Sequence, residues 1–442
     1  MRFLFRITQL ALALTLMYAA VAQATWNEFG KGARPVAMGQ AQVAAGNDPS
    51  AAEYNPATLV QARKYWELDH LRPMVMIGNG GTNHDLYLNE THQQSRYTNA
   101  VWMNILMPMG KRASVGVAAF LTTDPVLSVP FFFGPSISRF EANHTFGYTL
   151  SNGFEITDRL SVGFAFIGAL AINGGTLQLD LVSILSDVLG LSLGSGSVNV
   201  NTAFEIDIIS TSSYNVGLLY RPFDWVSLGF AYKYKNPSKT IIPVRIVGGG
   251  FMDDIEMTLE QNSGSPTTIT GGIALYPIEG LTIAFDLSKI IWSKDNKPGL
   301  RIKSDNPALA ADYPYVKPKD VWVPKFGVEW ADNLKGKLER VDYAVRAGYI
   351  YYKSPYPPAQ TAKNQSTIVD NNAHYYTGGL MIGYRPKMAQ SKKKGPEFIG
   401  IEYFYEYIHL MPRAHKNVAN NPAVIVSKGH VVFNGINLIS HW

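Results

Sequence analysis

The sequence has no cysteine, few charged residues and no long apolar run beyond its amino terminus. Without cysteine among 442 residues, disulfide scaffolds and thiolate metal or redox chemistry are excluded. Charged residues make up 17%, below the roughly 25% of soluble domains. The lysines and arginines are scattered and the net charge is only +5, which argues against a nucleic-acid-binding protein. After the first residues, no stretch reaches the ~18–20 apolar residues of a transmembrane helix, so a helical membrane bundle is excluded.

Patterns of catalytic or metal-ligating residues are also missing. The nine histidines do not follow a metal-ligand spacing such as HExxH, and no serine lies in a G-x-S-x-G motif. We therefore expect no enzyme, no catalytic residue, no metal site and no cofactor. Asp253, Asp254 and Glu256 are compatible with a cation site or a contact to lipopolysaccharide, but a solvated loop explains them more simply.

The first 24 residues have the pattern of a secretory signal peptide. Arg2 and Arg6 lie in a short basic region, residues 7–21 are apolar, and Ala22-Gln23-Ala24 fits a cleavage site between small residues. A transmembrane anchor is the alternative, but Gln9 and Thr15 interrupt the apolar core, which is short for a span. We expect export from the cytoplasm.

Aromatic residues and glycine are abundant, and they are arranged with a period of two. The sequence holds 24 tyrosines and 39 glycines. Residues 160–166, 213–220, 227–234, 281–288 and 399–407 each alternate bulky apolar residues with small or polar ones. Because successive side chains of a strand point to opposite faces, each segment predicts a β-strand with one bulky apolar face.

The residues opposite the bulky face distinguish a membrane barrel from a soluble sandwich. That face carries Gly, Ala and Ser together with Arg346, Glu402 and Glu406. Burying such charges in a dry core would cost on the order of several kcal/mol each, whereas a wet lumen accommodates them. Segments of about ten alternating residues are typical of transmembrane barrels. We therefore predict an all-β, transmembrane antiparallel β-barrel in the bacterial outer membrane.

Turns and loops give the number of strands. Six short connections are expected near residues 108–113, 152–160, 221–226, 277–280, 331–341 and 385–397. Seven longer ones are expected near residues 78–96, 122–142, 172–206, 236–266, 290–322, 353–374 and 411–428. Together they connect about 14 strands, an even number with both ends periplasmic, as in bacterial barrels.

The final strand ends on Trp442, with Ile436 and Leu438 on the same face. A terminal aromatic residue resembles the assembly signal of outer-membrane barrels, which implies contact with the barrel assembly machinery. We expect the barrel to be a monomer.

The residues between the leader and the barrel do not alternate. Residues 25–64 are small and rich in Ala and Gly, and the first strand is expected to begin near Tyr65. This composition fits a plug within the lumen. The expected organisation is a signal peptide (1–24), a plug (25–64) and a barrel (65–442).

Several motifs in this plug and the strands resemble a known family. Asp48-Pro49-Ser50-Ala51-Ala52 is followed by Asn55-Pro56-Ala57, and further similarity extends over nearly the whole chain. The sequence resembles the FadL/TodX (OMPP1) family of outer-membrane transporters. The resemblance implies passive uptake of hydrophobic small molecules, such as long-chain fatty acids or aromatic hydrocarbons, and lateral exit from the barrel. The plug motif also resembles PorV-type barrels, which implies the alternative of a secretion-system component that docks partner proteins.

Two external loops are unusually apolar for segments exposed to water. One contains Phe131, Phe132 and Phe133 in succession. The other places apolar residues at helical i, i+3, i+4 spacing: Leu181, Ile184, Leu185, Val188 and Leu189. These loops either pack on each other or bind a ligand, and in the resembling family the outer loops form a groove that captures ligand. A general diffusion porin would favour polar loops and an open lumen. The expected partners are a hydrophobic ligand, outer-membrane lipid and lipopolysaccharide.

Overall fold

A computed structural model describes residues 32–442 except for several stretches. The exceptions are residues 69–72, 89, 94–97, 125–127, 132–133, 140–142, 174–175, 178–201, 204–206, 247–254, 296–299, 306–309, 314–317, 336–337, 358, 361–369, 387–396, 418–423 and 442.

Fourteen antiparallel strands form one closed sheet. The strands are β1 (Met74–Leu88), β2 (Thr98–Met109), β3 (Ala113–Asp124), β4 (Asn143–Thr157), β5 (Leu160–Asn173), β6 (Asp207–Phe223), β7 (Val226–Lys233), β8 (Thr267–Leu275), β9 (Leu281–Ile291), β10 (Val321–Asn333), β11 (Val341–Tyr352), β12 (Ala373–Tyr384), β13 (Phe398–Asn417) and β14 (Val424–His441). Each strand pairs with its neighbours in the sequence, and β1 also pairs with β14, from Met74 opposite His441 to Leu88 opposite Ser427. The predicted antiparallel barrel and its strand number are confirmed.

Short turns lie at one end of the barrel, which we call the lower end, and long connections lie at the upper end. The expected short turns occur where the structure describes them, for example between Met109 and Ala113 and between Phe223 and Val226. Residues 336–337 and 387–396, in two of the expected turns, lie outside the described part of the chain. The long connections are more regular than expected. Residues 236–313 include a separate four-stranded sheet formed by Asn236–Ile246, Ile255–Ser265, Leu300–Ser304 and Ala311–Tyr313, and residues 128–139 form a hairpin from Ser128–Phe131 and Gly134–Arg139. Further short strands are Thr91–Gln93, Thr176–Leu177, Thr202–Ala203 and Ala359–Gln360, and a one-turn helix spans Trp292–Asp295.

The two faces of the wall differ as the alternation predicts. Large apolar side chains project outward, including Phe164, Phe230, Ile382 and Leu438, of which Ile382 is 65% exposed. The inner face is small or polar, and Arg346, Glu402 and Glu406 are all buried there. An apolar belt around an antiparallel barrel is the surface that lipid requires. Among the described residues, no helix has the length and apolar composition needed to cross a membrane.

The segment before the barrel is helical. It consists of α1 (Ala33–Ala37), α2 (Ala51–Tyr54), a 3₁₀ turn (Pro56–Thr58) and α3 (Leu59–Tyr65). The strand expected near Tyr65 is therefore wrong, because α3 continues through this residue and β1 begins only at Met74. This end of the segment packs inside the barrel and does not join the sheet: Trp66 lies on the inward side chain of Phe398 of β13, with ring centroids 4.9 Å apart.

Candidate functional site in the barrel lumen

The amino-terminal segment, residues 32–68, lies against the inner face of the wall. Helix α1 contacts β11, β12, β13 and β14, the 3₁₀ turn contacts β4, β5 and β6, and α3 contacts β2, β3 and β4. These strands lie on opposite sides of the closed sheet. The segment is therefore enclosed by the barrel, and nearly all of its residues are buried.

Inward glycines allow the backbone of this segment to approach the wall closely. A Cβ added to Gly163 would overlap the backbone of Ala57, and one added to Gly229 would overlap the backbone of Val43. The same holds for Gly348, whose added Cβ would overlap the backbone at Gly39. At these positions any larger residue would push the segment inward or distort the wall.

The Asn55-Pro56-Ala57 motif joins the segment to β6. Asn55 has an extended backbone (φ −152°, ψ 103°), as expected for a residue before proline. Its side-chain nitrogen donates hydrogen bonds to the carbonyl oxygens of Val43 (2.6 Å) and Leu218 (3.0 Å), while its side-chain oxygen accepts from the Ala57 amide (3.0 Å). Asn55 is completely buried. Its amide group thus pairs with two carbonyls and one N–H and leaves none of its own hydrogen-bonding atoms unpaired.

A chain of buried ion pairs runs from the segment into the wall. Arg34 donates to both carboxylate oxygens of Glu329, at 2.9 and 2.8 Å. Arg346 donates to Glu329 and to Glu402, each at 2.6 Å. Burial alone would lower the pKa of Arg34, but the charge and hydrogen bonds of Glu329 raise it above its ordinary value. Two arginines and two carboxylates therefore alternate and compensate each other's charge.

Asp286 and Thr377 hold the turn after α1 from two sides. One Asp286 oxygen accepts hydrogen bonds from the amides of Gln42 (2.8 Å) and Val43 (2.9 Å). The Thr377 hydroxyl accepts from the Gly39 amide (3.0 Å) and donates to the Ala37 carbonyl (2.9 Å). The segment is thus attached to β9 and β12 by hydrogen bonds of defined geometry.

Above the segment, the inner face becomes apolar. We define the upper apolar cluster as two groups of buried residues that share Tyr352 and Tyr375 at their edges: Ile290, Trp292, Val321, Val323 and Ile350, and Ala373, Ile408, Leu410 and Val431. They belong to the halves of β9–β14 nearer the long connections, and Trp292 follows β9 directly. A water-filled channel has a polar interior, so this end of the lumen favours apolar contents.

Of the residues predicted to function, only the plug motif can be placed in detail. Asn55, Pro56 and Ala57 lie together between the segment and the wall. Phe131 ends the strand Ser128–Phe131 of the hairpin above the barrel. The remaining predicted residues lie outside the described part of the chain: Phe132, Phe133, Leu181, Ile184, Leu185, Val188, Leu189 and Trp442. Within the described residues, no three His, Asp or Glu side chains are grouped so as to hold a metal ion.

Two parts of the site were missed by the sequence analysis. It placed Arg346, Glu402 and Glu406 on the inner face but did not identify Arg34 as a partner. The upper apolar cluster had a readable signal, since the inner face of β11 changes from Arg346 and Gly348 to Ile350 and Tyr352 near its end. That change from small or charged to apolar residues marks the border of the cluster.

Comparison with known proteins identifies the architecture. No family model matches the chain, and no curated protein matches its sequence. Solved structures do match. A FadL homologue from Pseudomonas aeruginosa superimposes with a TM-score of 0.61 at 14% identity, covering 93% of this chain and 98% of its own. The chain has the FadL/TodX barrel fold.

Two toluene transporters show the same FadL/TodX fold. TbuX from Ralstonia pickettii matches with a TM-score of 0.60 at 16% identity, covering 95% of this chain and 100% of its own. TodX from P. putida matches with a TM-score of 0.60 at 13% identity, covering 93% of this chain and 99% of its own. At these identities the likeness establishes the fold.

Proposed function

We propose that the protein is an outer-membrane channel for the passive uptake of hydrophobic small molecules. The upper apolar cluster is the observation that carries this function, because it lines the lumen between the long connections and the amino-terminal segment. Burial of about ten methylene groups gains on the order of 8 kcal/mol before costs, so a modest apolar site suffices for micromolar binding. Channels of the same fold carry toluene, which supports the proposal.

The route has three steps in this proposal. A ligand first binds the apolar loops that contain Phe131, Phe132 and Phe133 and residues 179–193. It then enters the upper apolar cluster. Movement of the amino-terminal segment, acting as a plug, or a lateral opening in the wall finally releases it to the membrane or the periplasm. No catalytic step is required.

The surroundings of the barrel follow from the same proposal. A signal peptide would direct export, the assembly machinery would recognise Trp442, and lipid and lipopolysaccharide would surround the monomer. The outward side chains of β5, β7 and β14, including Phe164, Phe230 and Leu438, supply the necessary apolar belt.

The loop step is tested by replacing Phe131, Phe132 and Phe133 with serine. Each ring that reaches the ligand contributes roughly 1–3 kcal/mol, so initial uptake at low ligand concentration should fall more than about tenfold. The loss should shrink at high concentration, where capture no longer limits the flux. Labelled fatty acid and labelled toluene are supplied to cells with equal amounts of folded barrel.

A matched control replaces three consecutive residues of the connection between β12 and β13 in the sequence, Lys392, Lys393 and Lys394, with serine. This variant should take up both compounds at the wild-type rate. Normal uptake by the phenylalanine variant would contradict capture by the loops. If the wild-type protein itself transports neither compound in liposomes but copurifies with secreted proteins, the PorV-like function is correct instead.

A further inference from the structure

Glu406 is a buried carboxyl that the attachment of the amino-terminal segment does not use. It lies on the inner face of β13 and is 2% exposed. Its Oε1 atom has no hydrogen-bond partner among the described residues. Buried polar atoms are nearly always hydrogen-bonded, because an unpaired one loses its hydration without compensation. This acceptor therefore needs an explanation.

The carboxyl lies at the floor of the upper apolar cluster. Ile408 and Leu410, both members of the cluster, follow Glu406 on the same face of β13. Its cross-strand partner on β12 is Thr377, the residue that binds Gly39 of the amino-terminal segment. Directly opposite residues of antiparallel strands have Cβ atoms about 4.5–5.5 Å apart. Glu406 is thus at the border between the apolar cluster and the segment.

Lys325 provides a positive charge at the same border. It lies on the inner face of β10, two residues after Val323 of the cluster, and β11 and β12 separate its strand from that of Glu406. Its cross-strand neighbour is Asp286, which is already engaged by the amides of Gln42 and Val43. The floor of the cluster therefore offers the unpaired acceptor Glu406 Oε1 and one cationic donor, and within the described part of the chain the second oxygen of Asp286, Oδ1, is also unpaired beside that donor.

A second unpaired polar atom lies at the loop end of the same cluster. Trp292 is 7% exposed, and its indole Nε1–H has no acceptor among the described residues. Its ring lies 6.3 Å from that of Tyr356, between centroids. The cluster is therefore apolar along its walls, with a buried donor at the loop end and a buried acceptor at the floor.

We propose that this site selects apolar molecules that carry a hydroxyl group, namely alcohols or phenols. A hydroxyl both donates and accepts, so it can donate to Glu406 Oε1 and still accept a hydrogen bond, for which Lys325 is the cationic donor at the floor. On its way it can accept from Trp292. A pure hydrocarbon leaves Glu406 Oε1 unpaired, and so does a carboxylate, because it has no hydrogen to donate. This assignment rests on the proposed function and specifies its substrate class.

The test compares three ligands of similar size: 4-butylphenol, butylbenzene and 4-butylbenzoate. Radiolabelled ligand retained by proteoliposomes is measured against protein-free liposomes, for the wild-type protein and for Glu406→Leu. The variant should bind 4-butylphenol roughly tenfold to a hundredfold more weakly, since it loses one hydrogen bond to a buried group. Its binding of butylbenzene should be unchanged or tighter. For each ligand, the wild-type protein is compared with the variant, so the ligand's partition into lipid, which is the same for both, cancels.

Glu406→Gln is the second variant, because it keeps an acceptor of the same shape and should retain most of the preference for the phenol. Lys325→Met should also weaken the binding of 4-butylphenol more than that of butylbenzene. If butylbenzene or 4-butylbenzoate binds the wild-type protein as tightly as the phenol, or if Glu406→Leu leaves the preference intact, the hydroxyl assignment is overturned while the channel remains. If none of the three ligands binds, both the hydroxyl assignment and the proposed function are wrong.

Discussion

Replacing Arg34 with methionine should release the amino-terminal segment from the wall. Arg34 and Glu329 are both 3% exposed and share two hydrogen bonds. Without Arg34, Glu329 and Glu402 share the single cation Arg346, and a net negative charge is left buried. Gln42 and the carbonyl of Ala45 also lose the hydrogen bonds that the guanidinium donates to them at 2.7 and 3.0 Å.

The size of this effect can be estimated from other buried ion pairs. Removal of one partner from such a pair costs about 3–5 kcal/mol. If that cost falls on the docked state of the segment alone, its docking equilibrium shifts by roughly two to three and a half orders of magnitude. The barrel wall should remain folded, because its strand pairing does not include Arg34.

Labelling of a single cysteine measures the shift. The chain contains no cysteine, so Ala41→Cys provides a unique thiol at a position with 0% exposure. A water-soluble maleimide should react with it only when the segment leaves the wall, and the rate should rise with the undocked population. The matched control is Arg112→Met, which removes an arginine whose side chain is 64% exposed.

A double variant separates charge from contact. Arg34→Met combined with Glu329→Gln leaves Arg346 and Glu402 as a neutral pair, so part of the docking energy should return. The coupling between the two positions then follows from a double-mutant cycle. Equal labelling rates in Arg34→Met and Arg112→Met would refute the conclusion that this ion pair holds the segment.

Three further changes test other contacts. Gly229→Ala should lower the free energy of unfolding in urea by roughly 1–3 kcal/mol, because the added Cβ would overlap the backbone of Val43. Gly271→Ala, which has nothing within 4 Å of the added atom, should leave the free energy of unfolding unchanged. Equal losses in the two variants would contradict close packing at the wall. Asn55→Ala removes the hydrogen bonds to the carbonyls of Val43 and Leu218, so it should increase cysteine labelling roughly tenfold or more, and an unchanged rate would rule out its anchoring role. Deletion of Trp442 should reduce the heat-modifiable folded band in outer-membrane fractions; an undiminished band would argue against an assembly signal.

The wall could be predicted from the sequence because its signal is local. A period of two, as in residues 281–288, persists wherever one face of a strand meets lipid and the other a lumen. The end of the amino-terminal segment could not be predicted as well, since it packs on residues far away in the chain, as Trp66 does on Phe398.

The polar contacts of the lumen depend on long-range register, which a single sequence does not display. Arg34 and Glu329 are 295 residues apart in the chain. Their meeting requires both the closure of the barrel and the docking of α1. The alternation of β13 assigns Glu406 to the inner face. Whether its Oε1 atom has a hydrogen-bond partner depends on the surrounding strands, which the alternation does not specify.

The division of the lumen into a polar and an apolar layer limits how a ligand can act on the segment. A ligand shifts an equilibrium only through different affinities for the two states. A hydrocarbon cannot replace the hydrogen bond that Asn55 of the segment donates to the wall, or those that Asp286 and Thr377 of the wall make to the segment. It therefore gains no difference in affinity by displacing them. A hydroxyl that reaches Glu406 would lie beside Thr377, whose own hydroxyl holds Ala37 and Gly39. In the proposed channel, that border is therefore where a ligand's polar group can compete with the attachment of the segment.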